Sequence, residues 1–492
     1  MMANVLLRWL RPLAIVLAIA AVATSLSKPV AFDETNFLRL AAGAAADPWR
    51  PHNIAINWQG TTETAFAVLS NPPGIAWWLG PVLNAPVWQQ RAWMLPWSFL
   101  AIFGARWLAA KFSPGSAVLL LASPIVALSA TALLPDMPLY ACILAGVGGY
   151  VRAVDAGKPA WPWALLAGCA VLFRDSGVAI FPLLPLYAYL NRKSMLPALA
   201  GLLPLGLLVL HDLHAYGAIH LLEMGTFQSV SNTPGDIFHK AVAAICTLGG
   251  AAALPVFRWR GASLLGAITG GVAGIPFGVL GVGFGALGGA TVGSLAQKSE
   301  RPAPDAAFLL TWGVGGLVFL LSLRFTAARY WLPFVVPFLL VAPAISVRIR
   351  TVVTCLLTVA LVVEDGAHAR AETAFAEQVA ALGRGSFTGH WGWQSVLERE
   401  GWTPLDEGSS VRSGTLVAIP RESWPQTVQV RCDQVVFEGQ SASWVPWLPR
   451  GYTTEGPANL HSNWMAGVPP VRTVAPWWFG SDPYEWARVC AE

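Results

Sequence analysis

Apolar runs dominate the chain. Stretches at 5–27, 91–110, 115–133, 137–153, 160–173, 176–190, 195–211, 237–257, 306–323, 330–347 and 351–364 are apolar for most of the ~20 residues a helix needs to cross hydrocarbon. Segment 261–297 is glycine-rich, with Gly266, Gly270, Gly274, Gly278, Gly281, Gly285, Gly289 and Gly293 spaced mostly four apart. Small residues at that spacing let membrane helices approach backbone to backbone. The run is too long for one span and Pro276 lies near its middle, so it reads as a tight hairpin of two spans.

Two stretches break this pattern. Residues 28–90 are rich in Trp, Pro and Asn, and polar at Asp33-Glu34 and His52-Asn53, which predicts an ordered interfacial loop with helices lying on the membrane surface. From about residue 366 the chain turns polar, with Trp391, Trp393, Trp402, Trp424, Trp444 and Trp447 among Gly, Pro, Ser and charges. Short β-prone stretches at Thr415–Ile419 and Thr427–Val430 predict a small α+β domain there.

Basic residues orient the spans. With Arg8 and Arg11 inside, alternation places Lys111, Arg152 with Lys158, Arg192 with Lys193, and Arg258 with Arg260 on the cytoplasmic side. Only a hairpin at 261–297 keeps Lys298, Arg301, Arg348 and Arg350 there as well. The expected architecture is an all-α polytopic membrane domain, residues 1–365, of about 13 transmembrane helices, followed by an external soluble domain, 366–492. The N-terminal run resembles a signal peptide, but Lys28-Pro29 is a poor processing site, so an uncleaved first span is preferred.

Composition agrees: 55% of residues are hydrophobic and 12% charged, about half the charge of an ordinary soluble chain. A net charge of +4 gives no support to a nucleic-acid partner. Four of the six cysteines (Cys142, Cys169, Cys246, Cys355) lie in apolar runs and read as small buried hydrophobes. Cys432 and Cys490 are the only two in the external region, where oxidising conditions favour a bridge over two buried thiols.

Ionisable residues outside the cytoplasm are few: Asp33, Glu34 and Arg39; Asp136; Arg174 and Asp175; His211, Asp212, His214, His220 and Glu223; and Arg324 and Arg329. Charges at the edges of membrane segments are costly, and all of these fall on one side, where a single cavity could gather them. Each has a plainer reading. Asp33 could cap a helix from Glu34 to Ala45, and Asp136 could cap another. Arg174-Asp175 could be a local ion pair, His211–His220 a solvated loop rather than a metal site, and Trp77-Trp78 interfacial belt residues.

Several of these positions also fall in motifs. Phe32-Asp33-Glu34 after the first span and Asn71-Pro72-Pro73-Gly74 before the second resemble the first external loop of C-type membrane glycosyltransferases. The resemblance is to the family-39-like group, with protein O-mannosyltransferases and lipid A aminoarabinose transferases. Leu134-Pro135-Asp136, Leu172-Phe173-Arg174, Arg329-Tyr330-Trp331-Leu332-Pro333 and Gly389-His390-Trp391-Gly392-Trp393-Gln394 resemble further elements, in order over nearly the whole chain. Asn71 departs from the usual His or Lys with no acidic residue before it, so the metal site of the aminoarabinose enzymes is not carried over, and the glycine-rich hairpin has no counterpart.

The resemblance implies an inverting single displacement, with a polyprenyl-phosphate sugar as donor and a lipid, glycan or protein as acceptor, at the outer face of the inner (plasma) membrane. It makes Asp33 the candidate general base, with Glu34 orienting it or binding sugar. Arg174 and Arg329 become phosphate clamps, and Asp136, Tyr330 and Asn71 substrate-binding residues. No cofactor or metal follows from it. A lipid-linked sugar flippase or a glycolipid-binding scaffold is the competing expectation.

Overall fold

A computed structural model describes residues 2–58, 60–228, 233–252, 261–296, 302–341, 347–430, 432–441, 445–452, 460, 464–465 and 473–491. Arg258, Arg260, Lys298, Arg301 and Trp444, used above, lie outside the described residues. Most of the structure is helical. The main helices are α1 (Met2–Thr24), α2 (Glu34–Ala46), α3 (Leu95–Phe112), α4 (Asp136–Asp155), α5 (Leu203–Tyr216), α6 (Pro234–Thr247), α7 (Ala262–Gly274), α8 (Gly278–Ala296), α9 (Ala303–Ser322), α10 (Val347–Ala380) and α11 (Trp391–Arg399).

Among the described residues, five helical stretches are long and apolar enough to cross a membrane, and two shorter apolar ones run from Trp161 to Leu172 and from Asp175 to Leu190. Helix α1 leaves Trp9, Val16 and Ile19 exposed, as a lipid-facing helix does, while α4 is buried along nearly its whole length at the centre of the bundle. The expected run at 115–133 is not one helix: Pro124 opens a new helical segment, Pro124–Ser129, behind Ala117–Ala122.

The 34-residue stretch Ala262–Leu295 is folded back on itself. A Cβ on Gly266 would strike the carbonyl of Gly289, one on Gly270 that of Gly285, and one on Gly274 that of Gly281. Partners whose numbers run in opposite directions define antiparallel helices in backbone contact, and α7 and α8 are joined by a turn at Ile275–Phe277. Gly278, at φ 70°, takes the left-handed conformation that starts the return.

Helix α10 runs unbroken for 34 residues, about 51 Å at 1.5 Å per residue. Its first half packs on α1 through Cys355 and Val362, against Ala14, Ala18 and Ala21. Its second half enters the core of the C-terminal domain with Phe375, Ala376 and Val379 against Phe387, Trp393, Leu397 and Val489. The change in composition at 365/366 therefore falls inside a helix, because the chain changes surroundings there without changing conformation. Around that helix lies a sheet of β3 (Gly385–Phe387), β4 (Thr403–Pro404), β5 (Leu416–Pro420), β6 (Gln434–Gln440) and β7 (Trp486–Ala491), in spatial order β4-β3-β5-β7-β6; β1 (Ala55–Asn57) and β2 (Thr62–Thr64) form a separate hairpin. The expected strand at Thr415–Ile419 is β5. Thr427–Val430 contributes only a single bridge, Ser410 to Gln429. Cys432 and Cys490 are bonded, with Cα atoms 5.0 Å apart, within the range a disulfide requires.

Candidate active site

The chain leaves α1 and turns sharply into α2 at Phe32, whose φ of 48° is unusual for a bulky residue. The Phe32 ring sits among His368, Trp391 and Tyr452, with centroids 5.3, 5.4 and 6.2 Å away. Thr35 Oγ1 donates to the Trp391 carbonyl at 2.7 Å, so the C-terminal domain grips both sides of Asp33.

Asp33 occupies the N-cap position of α2 but makes no side-chain cap bond. Its carboxylate instead accepts from Arg329 Nη2. Arg329 lies in a 3-10 turn, Ala328–Trp331, anchored by Ala328 N to Leu460 O at 3.0 Å and by Trp331 Nε1 to Ala244 O at 3.1 Å. Burial works against its charge, but the Asp33 and Asp136 carboxylates outweigh that and raise its pKa further. Asp136 begins α4, caps nothing, and pairs with Arg174 at 3.0 Å, which sets aside both the cap reading and the local Arg174-Asp175 pair. The guanidiniums of Arg174 and Arg329 stand 4.2 and 5.9 Å from the Tyr330 ring centroid.

Asp33, Asp136, Arg174, Arg329 and Tyr330 thus form one cluster drawn from four distant parts of the sequence. Nε and Nη1 of Arg329 are buried without an acceptor. A cavity of about 30 Å³, lined by Lys28, Phe32, Arg329 and Asp365 with an apolar wall of Ile125 and Leu128, lies beside it. Buried donors left unpaired are costly and fit an anion better than apolar contact.

Glu34 is held by an ion pair of its own. Its Oε1 accepts from Arg91 Nη1 at 2.8 Å and Leu133 N at 3.0 Å, and its Oε2 from Arg91 Nη2 at 2.7 Å and Ala31 N at 3.0 Å. Burial pushes its pKa up, but Arg91 and Lys28 outweigh that and hold it below the ordinary carboxylate value. With both oxygens doubly engaged, Glu34 fixes the loop that carries Asp33, and it also lines the cavity beside Arg329. Arg91 spends its remaining donors on the carbonyls of Lys28, Pro29 and Thr131. Sequence reading passed over Arg91, although a charge opening an apolar run is a signal in itself.

Asn71 sits apart from the cluster in its bonding. Its carbonyl accepts from His52 Nε2 at 2.8 Å, and its Nδ2 is buried without a partner. The stretch 211–220, which could have been a solvated loop, is instead the end of α5 and a short, partly exposed turn, with His211 and His220 buried. His211 Nε2 meets Trp49 O at 2.9 Å, and His220 Nε2 meets Leu69 O at 2.7 Å. These bonds staple the 28–90 loop to α5 and to the segment that follows it. Burial, reinforced by His220, takes the His52 pKa down to about 3. Trp77 and Trp78 spend their indole N–H groups on Pro48 and Trp93 carbonyls. Among the described residues no group of three His, Cys, Asp or Glu is gathered to hold a metal ion.

No family model matches the chain, and no curated protein does. Two solved structures are similar to it. ArnT from Cupriavidus metallidurans in the apo state shares 15% identity at a TM-score of 0.42, over 83% of this chain and 92% of that one. The same protein bound to undecaprenyl phosphate shares 16% identity at a TM-score of 0.40, over 84% and 93%. A likeness this shallow assigns no role to any residue.

Proposed function

We propose that this chain is a membrane-embedded glycosyltransferase moving a sugar from a polyprenyl-phosphate carrier to an acceptor hydroxyl at the outer face of the membrane. The acceptor oxygen attacks the anomeric carbon, its proton passes to Asp33, and the bond to the carrier phosphate breaks with inversion. The departing phosphate is already a weak base and needs charge stabilisation rather than a proton, which Arg329 and Arg174 supply. Asp136 and Tyr330 hold the two guanidiniums in place, and Glu34 with Arg91 fixes the loop that carries Asp33. Charge alternation along the spans puts this cluster and the C-terminal domain outside.

One observation carries the reading. Arg329 holds the candidate base with Nη2 while Nε and Nη1, buried and without acceptors, stay free for an anion. One side chain can therefore orient the carboxylate and bind the phosphate together, and guanidinium suits both geometries. Binding of undecaprenyl phosphate to protein in nanodiscs tests it. Arg329→Ala and Arg174→Ala should each weaken binding by about tenfold or more, as loss of charge-assisted hydrogen bonds implies. Unchanged affinity in both variants would refute the phosphate assignment.

A further inference from the structure

The motif Gly389–Gln394 contributes Trp391 to the grip on Phe32, but His390 has no role in that grip. Its ring is only 1% exposed, yet neither Nδ1 nor Nε2 has an aligned hydrogen-bond partner. His52, His211 and His220, by contrast, each place a ring nitrogen against a backbone carbonyl. Gln394, one turn further along α11, lies beside the His390 ring without alignment, and its Oε1 also lacks a donor. Its amide is turned to Glu398 Oε1 at 3.1 Å, and that carboxylate pairs with Arg39. The Trp58 ring stands 5.4 Å from the imidazole.

This group is close to the reacting centre. His390 is the chain neighbour of Trp391, which packs on Phe32 and accepts from Thr35, on either side of Asp33. Burial, with Gln394 and Asp33 acting against it and Arg39 with it, brings the His390 pKa down to about 4, so the ring is neutral near pH 7. A neutral imidazole offers one donor and one acceptor, and the amide oxygen a second acceptor. Sugar hydroxyls both donate and accept, and an indole flank suits the apolar face of a sugar ring. The nearest charges are already paired, Asp33 with Arg329 and Arg39 with Glu398, so a charged ligand matches less well.

We propose that His390 and Gln394, flanked by Trp58, form a subsite for hydroxyl groups of the donor sugar. The subsite rests on the polyprenyl-phosphate reading above. Its test compares binding of bare undecaprenyl phosphate with that of a panel of its hexosyl and pentosyl derivatives, in nanodiscs, with thermal unfolding followed alongside. Wild type should prefer at least one sugar-bearing carrier. His390→Phe fills the ring volume and removes both unmet nitrogens, so it should unfold at or above the wild-type temperature. Its affinity for bare carrier should stay unchanged while the preference for the sugar-bearing carrier falls about tenfold, as loss of hydrogen bonds to a neutral ligand implies. His390→Gln, which keeps a donor and an acceptor, should retain part of the preference, and it decides the matter should His390→Phe not fold. Lower stability with the preference intact would make His390 structural and overturn the proposal. Higher stability with the preference intact would leave only buried water at the site and overturn it too. Bare-carrier binding with no sugar preference in wild type refutes the subsite alone, whereas no carrier binding at all refutes the polyprenyl-phosphate reading and the subsite with it.

Discussion

Glu34→Gln separates a structural carboxylate from a substrate ligand. The substitution keeps the shape but removes the charge opposite Arg91, a guanidinium with 0% side-chain exposure. One amide group cannot accept all four bonds that Glu34 now receives, and its own N–H would face the donors of Arg91, Leu133 or Ala31. Breaking a buried pair from one side costs about 3–5 kcal/mol, because the other charge is left uncompensated. At ~1 °C per kcal/mol for a chain of this length, the apparent unfolding temperature should drop by about 3–5 °C. Replacing both partners, as Glu34→Gln with Arg91→Met, should recover a large part of that loss, and the double-mutant cycle measures the coupling directly. Thermal unfolding in nanodiscs reads stability, and binding of undecaprenyl phosphate reads the site. A Glu34→Gln protein as stable as wild type that nevertheless fails to bind a sugar-bearing carrier would refute the structural assignment and return Glu34 to the substrate.

Three further outcomes follow from the fold. Gly270→Ala, which in an ordinary helix interior gains up to ~1 kcal/mol, should here destabilise by about 1–3 kcal/mol, because the new methyl meets the Gly285 carbonyl across the hairpin; a stabilised variant in thermal unfolding would contradict the antiparallel packing. Cys490→Ser should cost roughly 4 kcal/mol at most by the chain-entropy estimate for a loop of this length, with loss of the Cys432–Cys490 cross-linked peptide in non-reducing mass spectrometry and a lower unfolding temperature; equal stability would show the bridge to be dispensable. Burial and the neighbouring Glu485 push Glu372 up to about 8 from an ordinary 4.5, so the folded protein holds a proton there that the unfolded chain releases. The stability it contributes is full below about pH 4.5 and is lost as pH rises through about 8. Glu372→Gln should flatten the fall in unfolding temperature between about pH 4.5 and about pH 8, and an unchanged slope would contradict the assignment.

Much of the candidate site was legible because membrane chemistry makes charges scarce. Once apolar runs are set aside, few ionisable residues are left on one side, and the structure joins four of them, Asp33, Asp136, Arg174 and Arg329, in two ion pairs around Tyr330. The hairpin was legible for a similar reason, since glycines four apart have one obvious physical use. Pairings were not legible, because they depend on which turn brings distant segments together. Nothing local distinguishes Glu34, saturated by Arg91, from its neighbour Asp33, which caps nothing and reaches Arg329. Helix continuity escaped as well: α10 passes from lipid-compatible to polar surroundings without a break, so a shift in composition marked a change of environment and not the end of an element.

Single-turnover transfer by Asp33→Asn tests the central claim most directly. The variant is supplied with the sugar-bearing undecaprenyl phosphate that wild type uses and with wild-type membranes as the source of acceptor, and its carrier binding is measured on the same sample. The amide can still accept from Arg329 but cannot take a proton from the attacking hydroxyl. Transfer should fall by ~10² or more, as loss of a general base implies, with bare-carrier affinity and unfolding temperature close to wild type. Transfer at the wild-type rate in a folded, carrier-binding Asp33→Asn protein would contradict the account.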